Sequence, residues 1–366
     1  MQVAGKGKPR RGRATAHGMP GAAAVAPALL AWYGRARRDL PWRRSQDPYR
    51  IWVSEVMLQQ TQVERVKDFF VRFIDRFPTV DALAAATEHD VLRLWEGLGY
   101  YRRARQLHAA AKAIVADHGG EFPRTVAELR SLPGIGRYTA GAIASIAMGL
   151  PEPIVEANSR RVIARLSGYA ERLDGPGGDE PIWQVAATLV PQQHPGRFNQ
   201  ALMDLGAMVC TPDRPLCQAC PLAECCTAKR TGRVAEIPVK AQRRAVEAIR
   251  ETAVVVRRGN RVLVVQREPG EWWEGLWDFP RVAVAARAAP RAIQRSAFLG
   301  GIACGATSRL GRFTHSVTHH RITLDVVACE AGRTGRAAQG RRWVTAGALA
   351  ALAMTAPGRR IAKLIG

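Results

Sequence analysis

The stretch Cys210-Thr211-Pro212-Asp213-Arg214-Pro215-Leu216-Cys217-Gln218-Ala219-Cys220-Pro221-Leu222-Ala223-Glu224-Cys225-Cys226 holds five of the chain's seven cysteines in seventeen residues. Four of them follow the spacing Cys210-x6-Cys217-x2-Cys220-x5-Cys226. Thiolates brought together by loops this short suit a soft metal centre, either tetrahedral zinc or a [4Fe-4S] cluster, and ligand softness does not separate the two. Such clustering fits a reducing compartment better than a secreted disulfide framework. Ferredoxin spacing is tighter, which argues against a mobile electron carrier.

Upstream of this loop, Leu132-Pro133-Gly134-Ile135-Gly136 interrupts two helical patterns. A dinucleotide fingerprint is excluded there, because no strand precedes it and Thr139 occupies the third glycine position. The segment resembles a helix–hairpin–helix, in which Gly134 and Gly136 let the backbone approach a phosphate and N–H groups at the next helix start face the anion. The surrounding periodicity, from Leu29 to Arg165, is helical. Val63, Val66, Phe70, Phe73, Ile74 and Phe77 share one face of a helix ended by Pro78. Asp81 is expected to cap the next helix. Further helices are expected over Arg102–His118, from Thr125 to Leu132, and over Arg137–Met148.

The pattern changes near residue 250. Thr252–Val256 and Arg261–Gln266 are β-branched runs separated by Gly259-Asn260, a hairpin signal, and His320–Val326 alternates as a half-buried strand does. We therefore expect a basic flexible tail over residues 1–27, a helical domain over 28–226, a linker over 227–250 and an α+β domain over 251–366.

The chain carries 54 Lys and Arg against 31 Asp and Glu, a formal charge of +23, and the first 38 residues contain no acid. A field of that sign attracts nucleic acid or an anionic surface. No apolar run reaches the roughly 18 residues of a membrane helix. Pro27 interrupts the Ala-rich run that follows the tail, and no small-residue cleavage pattern comes after it, so a secretory leader is not expected.

The segment from Leu40-Pro41-Trp42-Arg43 to Ser54-Glu55-Val56-Met57-Leu58-Gln59-Gln60-Thr61-Gln62 sets one acid, Glu55, among apolar neighbours that would raise its pKa. This segment, Gly97-Leu98-Gly99-Tyr100-Tyr101, Phe198-Asn199-Gln200-Ala201 and Asp204-Leu205-Gly206-Ala207, together with the hairpin and the cysteine loop, resemble the MutY-type adenine DNA glycosylases. The resemblance is close over about residues 28–226 and looser beyond.

It implies a mostly α helix–hairpin–helix glycosylase domain with an iron–sulfur loop, followed by a Nudix-like α+β domain. Cys210, Cys217, Cys220 and Cys226 would hold a [4Fe-4S] cluster, with Cys225 a bystander. Glu55 matches the acid that protonates the flipped adenine. Gln60 and Tyr100 match side chains that enter the base stack, and Trp42, Arg43 and Gln200 match groups around the adenine pocket. Tyr138 stands where bifunctional relatives carry a Schiff-base lysine, so hydrolysis leaving an intact strand is expected. The family's Asp-Gly-Asn reads Glu156-Ala157-Asn158 here, with Glu156 expected to face the developing oxocarbenium ion.

In the C-terminal domain, Val317-Thr318-His319 matches a Phe-Ser-His loop that contacts 8-oxoguanine, with Thr318 keeping the hydroxyl. His315, His319 and His320 lie close in sequence, but no neighbouring Cys or acid completes a ligand set. Trp272-Trp273-Glu274-Gly275-Leu276-Trp277-Asp278-Phe279-Pro280 resembles the start of a Nudix domain, yet residues 291–300 lack the paired acids that would hold Mg²⁺, so nucleotide pyrophosphatase activity is not expected. The expected partner is double-stranded DNA carrying 8-oxoguanine:adenine or guanine:adenine mispairs, met by a monomer in a bacterial cytoplasm. The rival readings are another mismatch glycosylase, an endonuclease III-like lyase, and a damage-binding protein that has lost catalysis.

Overall fold

The computed structural model describes residues 22–173, 175, 178–239, 245–283, 302, 304–332 and 340–365. The chain divides into two compact units, one from the segments ending at Ile74 and spanning Ala113–Gln242, the other from Asp75–Lys112 and Arg243–Gly366. Residues 75–112, read from sequence as part of the helical domain, thus group with the C-terminal sheet. Among the described residues no helix is long and apolar enough to cross a membrane.

The helices in chain order are α1 (Ala22–Ala36), α2 (Pro48–Leu58), α3 (Val63–Arg76), α4 (Val80–Ala84), α5 (Glu88–Trp95), α6 (Arg102–His118), α7 (Val126–Ser131), α8 (Arg137–Ala142), α9 (Ala157–Ser167), α10 (Glu180–Leu189), α11 (Pro195–Met208), α12 (Thr227–Arg230) and α13 (Ala356–Ile365). Local chemistry sets their ends. Asp47 accepts the Tyr49 N–H at 2.9 Å ahead of Pro48 and so starts α2. Thr125 and Glu128 close a capping box on α7. Thr79, rather than Asp81, caps α4 through the Ala82 N–H at 3.2 Å. An N-cap oxygen precedes the N–H it reaches by two or three residues and sits outside the helix, whereas Asp81 is already inside the first turn. The helix expected over Arg137–Met148 passes from α8 into a π-helical turn at Ile143–Ala147.

In the first unit, α9 and α11 form the centre of a core to which Val25, Leu29 and Tyr33 of α1 contribute. α1 thus takes in residues 22–27 of the span expected to be a flexible tail; residues 1–21 lie outside the described residues. Pro27 sits inside α1 without ending it. The expected linker over 227–250 is also shorter than its composition suggests. Ala228 and Ile237 are buried in the same core, and the Ile237 carbonyl accepts from Arg165 Nε at 2.8 Å. The polar surroundings of these two side chains hide them from a composition count.

The second unit is built on a mixed sheet of β1 (Glu247–Arg258), β2 (Arg261–Gln266), β3 (Trp277–Asp278), β4 (Arg281–Val282), β5 (Cys304–Val317), β6 (His320–Ala331) and β7 (Arg341–Thr345), with β1 already underway before residue 250. The main order is β3-β2-β1-β6-β5, β4 pairs with β1 and β7 with β2. The β1–β2 hairpin turns at Gly259-Asn260 as expected, while β1 and β6 pair in parallel. Apolar clusters lie on both faces, which explains why Thr252–Val256 is buried throughout. Within this unit Arg359 forks onto Glu96 at 2.7 and 2.8 Å, tying the 75–112 segment to α13. Residues 291–300, the segment without paired acids, lie outside the described residues.

The α9–α11 crossing is close at Gly206, where a Cβ would lie 2.7 Å from Asn158 Cβ and 2.9 Å from its carbonyl oxygen. Gly206→Ala should therefore lower the unfolding free energy by about 1–3 kcal/mol in urea titration. Wild-type stability in that variant would contradict so tight a crossing.

Candidate active site

α2 is buried along almost its whole length, and Glu55 on it is only 3% exposed. The Tyr138 hydroxyl, carried by α8, donates to Glu55 Oε2 and also lies 3.5 Å from Met203 Sδ. Removal from water pushes the Glu55 carboxyl up from 4.5 to about 7. The Tyr138 hydrogen bond and the Arg43 charge pull it back, and the charge of Glu156 adds to the rise. Tyr138 is raised well above its ordinary value, by burial first and then by the charges of Glu55 and Glu156. The site thus contains an acid that keeps its proton to about neutrality, held by a hydroxyl that does not ionise there.

Glu156 is the N-cap of α9. Its two carboxylate oxygens accept the N–H groups of Asn158 and Ser159 at 2.8 Å each, and Ser159 Oγ accepts the Glu156 N–H at 2.8 Å in return. The carboxylate is therefore folded back onto its own helix, where the dipole favours its charge.

Arg43 lies in a short 3₁₀ turn, Pro41–Arg44, and forks onto the fully buried Asp204 of α11 at 2.6 and 3.0 Å. Arg38 Nε donates to the same carboxylate at 2.7 Å. Gln200, one turn before Asp204, accepts the Tyr33 hydroxyl at 2.8 Å. Tyr33, Arg43 and Gln200 line a cleft of about 700 Å³ that Arg37, Arg44 and Arg197 also border. Trp42 faces the core instead, packing edge-on to Phe70 with ring centroids 5.6 Å apart.

The hairpin lies between α7 and α8. Leu132 and Ile135 are buried and anchor it, leaving Gly134 and Gly136 exposed, with Gly134 at φ 74°. Among the described residues, five other than glycine have positive φ. Three of them, Gln60 (56°), Tyr100 (49°) and Thr318 (52°), are residues singled out from sequence as DNA contacts. Gln60 and Thr318 are exposed, and Tyr100 is 53% exposed despite its ring. Glu55, Tyr138, Glu156, Arg43, Gln60 and Gln200 belong to the first unit, whereas Tyr100, Thr318 and His319 belong to the second.

Cys210, Cys217, Cys220 and Cys226 line one cavity together with Arg165 and Lys229. Among the described residues no three of these sulfurs lie within 4.8 Å of one another. Zinc–sulfur bonds of about 2.3 Å at tetrahedral angles set sulfurs roughly 3.8 Å apart. The four thiols line one cavity without meeting at that spacing. Burial pushes the Cys220 thiol up to about 11 and raises that of Cys226, so these two need a cationic centre to stay deprotonated. Cys225 also borders the core here.

Two arginines one turn apart on α9 hold this loop. Arg161 donates from Nε to the Cys210 carbonyl and from Nη2 to the Gly206 carbonyl, both at 2.7 Å. Arg165 Nη1 lies 3.2 Å from Cys210 Sγ and donates to the Thr211 carbonyl at 2.8 Å. The sequence alone does not mark either arginine, or Arg38, as functional, and it marks Asp204 only through its motif. The available signal is the i, i+4 spacing of two arginines on one helix.

Residues 53–177 match the HhH-GPD superfamily of base excision DNA repair proteins, and residues 252–364 match the NUDIX domain. A thermostable thymine-DNA glycosylase of known structure is 29% identical, with a TM-score of 0.53 over 57% of this chain and 97% of that one. The helical unit is thus that of a helix–hairpin–helix DNA repair protein. The Mus musculus adenine DNA glycosylase is 36% identical, over 87% of this chain and 73% of the relative, and the Homo sapiens protein is 35% identical, over 87% and 69%. The Mycolicibacterium smegmatis adenine DNA glycosylase is 40% identical, over 66% and 86%. The chain belongs to the adenine DNA glycosylase family.

Burial of Glu55 has a measurable consequence. Unfolded, its carboxyl releases the proton near 4.5; folded, it holds the proton to about 7. Below 4.5 both states are neutral at this position, and above 7 the folded state carries a buried charge that the unfolded state solvates. Glu55→Gln should therefore be more stable than wild type above pH 7, by on the order of 3 kcal/mol at most, and nearly equal to it at pH 4.5. A stability difference that stays constant across this window in urea titrations would contradict the burial.

Proposed function

We propose that this chain is a monofunctional DNA glycosylase that hydrolyses the N-glycosidic bond of adenine paired with 8-oxoguanine, and of adenine paired with guanine at lower preference. The observation that carries the reading is the buried, half-protonated Glu55 bonded to Tyr138 in a member of the adenine DNA glycosylase family.

A purine in a duplex is out of reach, so it must be flipped at a cost of a few kcal/mol. Gln60 and Tyr100, on strained backbone and exposed, supply side chains to fill the gap. The adenine then enters the space bordered by Arg43 and Gln200, and Glu55 gives it a proton as the bond lengthens. Positive charge developing on the sugar is met by the Glu156 carboxylate, whose hydrogen bonds to the start of α9 keep it from swinging onto the carbon. Water completes the reaction. Tyr138 offers no amine, so no Schiff base forms and the strand stays intact.

Gly134 and Gly136 hold the DNA backbone. Thr318 and His319 read the opposite base. The four loop cysteines hold a [4Fe-4S] cluster, which when bound cross-links the loop that α9 supports and takes no part in the hydrolysis. The same reading has the chain act as a monomer on chromosomal DNA in a bacterial cytoplasm.

Duplexes with adenine opposite 8-oxoguanine or guanine test this in a gel assay. Wild type should give cleavage only after alkali, Glu55→Gln should bind without excising, and the double variant Thr318→Ala/His319→Ala should lose preference for 8-oxoguanine over guanine. Cleavage without alkali would favour a lyase, binding without any product a damage-binding protein, and an active Glu55→Gln would remove the proposed acid. Equal losses on both substrates in the double variant would reduce Thr318 and His319 to a structural role.

A further inference from the structure

The turn between β5 and β6 ends on His319, β6 opens on His320, and the sequence places no acid beside them. The structure supplies one from 72 residues upstream, because β1 and β6 run in parallel with Glu247 in register with His320. His319 Nε2 lies 3.6 Å from Glu247 Oε1, and His320 Nε2 lies 3.2 Å from Glu247 Oε2. We propose that Glu247, His319 and His320 form a binding site for a late first-row divalent cation, zinc above all.

Geometry is the first support. Ligand atoms of all three residues lie within 4.8 Å of one another. Zinc bonds of about 2.0–2.1 Å at tetrahedral angles set nitrogen and oxygen ligands roughly 3.3 Å apart. The separations of 3.2 and 3.6 Å bracket that value.

Orientation is the second. Thr318 Oγ1 lies 3.4 Å from His319 Nδ1 and 3.3 Å from His320 Nδ1. One hydroxyl thus engages the same nitrogen on both rings, which leaves both Nε2 atoms directed at the carboxylate. Outer hydrogen bonds of this kind fix the tautomer and aim of metal-binding imidazoles. The His320 ring is further held by Trp272, with centroids 4.9 Å apart.

The donor set is the third. The two imidazoles sit side by side, with centroids only 4.0 Å apart. A single divalent ion uses both neutral lone pairs and the carboxylate at once. Two imidazoles and one carboxylate suit zinc better than magnesium or calcium, which prefer all-oxygen sets. With side-chain exposures of 29%, 17% and 64% for His319, His320 and Glu247, the ion can enter from solvent and keep a water in the fourth position. His315, whose ring nitrogens have no hydrogen-bond partner and whose pKa burial pushes down to about 4, is not part of the set.

The inference shares His319 with the base-reading role proposed above, but its test uses no DNA and does not depend on that role. Its test is calorimetric titration of the full-length protein with Zn²⁺. Wild type should take up one equivalent more than Glu247→Gln and than the double variant His319→Ala/His320→Ala. The cysteine loop is common to all three proteins and cancels in the comparison. Long-range ¹H–¹⁵N spectra of histidine-labelled wild type test the site without any substitution: Zn²⁺ should move two Nε2 resonances and leave the remaining histidines in place. Equal zinc uptake by all three proteins, or histidine spectra unchanged by zinc, would overturn the site.

Discussion

Keeping one carboxyl group dry is the constraint around which the helical unit is organised. A lone Glu55 charge in the interior of α2 would be costly, and the chain resolves this by letting the group hold its proton to about pH 7. The Arg43 charge pulls the other way. Its guanidinium is forked by Asp204, which Arg38 also engages, so its charge is balanced before it reaches Glu55. A buried ion pair of this kind is poor evidence of net stability. Its value here is that it keeps a cation in the cleft wall without stripping the acid of its proton.

α9 connects the other parts. Its N-terminus holds the Glu156 carboxylate, its third residue Ser159 completes the capping box, and Arg161 and Arg165 further along grip the cysteine loop. Arg161 also donates to Asn158 Oδ1 at 2.9 Å, so the start of the helix and the loop share one hydrogen-bonded chain. Gly206 allows α11 to approach closely enough for this. A cluster bound by the four cysteines would therefore stiffen the element that positions Glu156 without touching the chemistry.

Much of this was legible in the chain. The cysteine spacing, the Gly-Ile-Gly turn, the apolar setting of Glu55 and the period-four apolar rows of α3 are local patterns, and local patterns survive the absence of tertiary information. What was not legible depends on distance. Val25, Leu29 and Ile237 are isolated apolar residues in basic or Ala-rich stretches, and only a core built elsewhere makes them buried. Asp204 meets Arg43 across 161 positions. Glu247 meets His319 and His320 through a parallel strand pairing, whose register no hairpin spacing discloses. The glutamate at position 156 was visible as a departure from the family's aspartate, but that its carboxylate turns back onto α9 needed the backbone.

The protonation state of Glu55 tests this account most directly. Titration of ¹³C-labelled glutamate carboxyl resonances, with the Glu55→Gln spectrum identifying the signal, reads it without substrate or turnover. The account predicts a midpoint near 7, where burial puts it, and a midpoint at the ordinary 4.5 would contradict it.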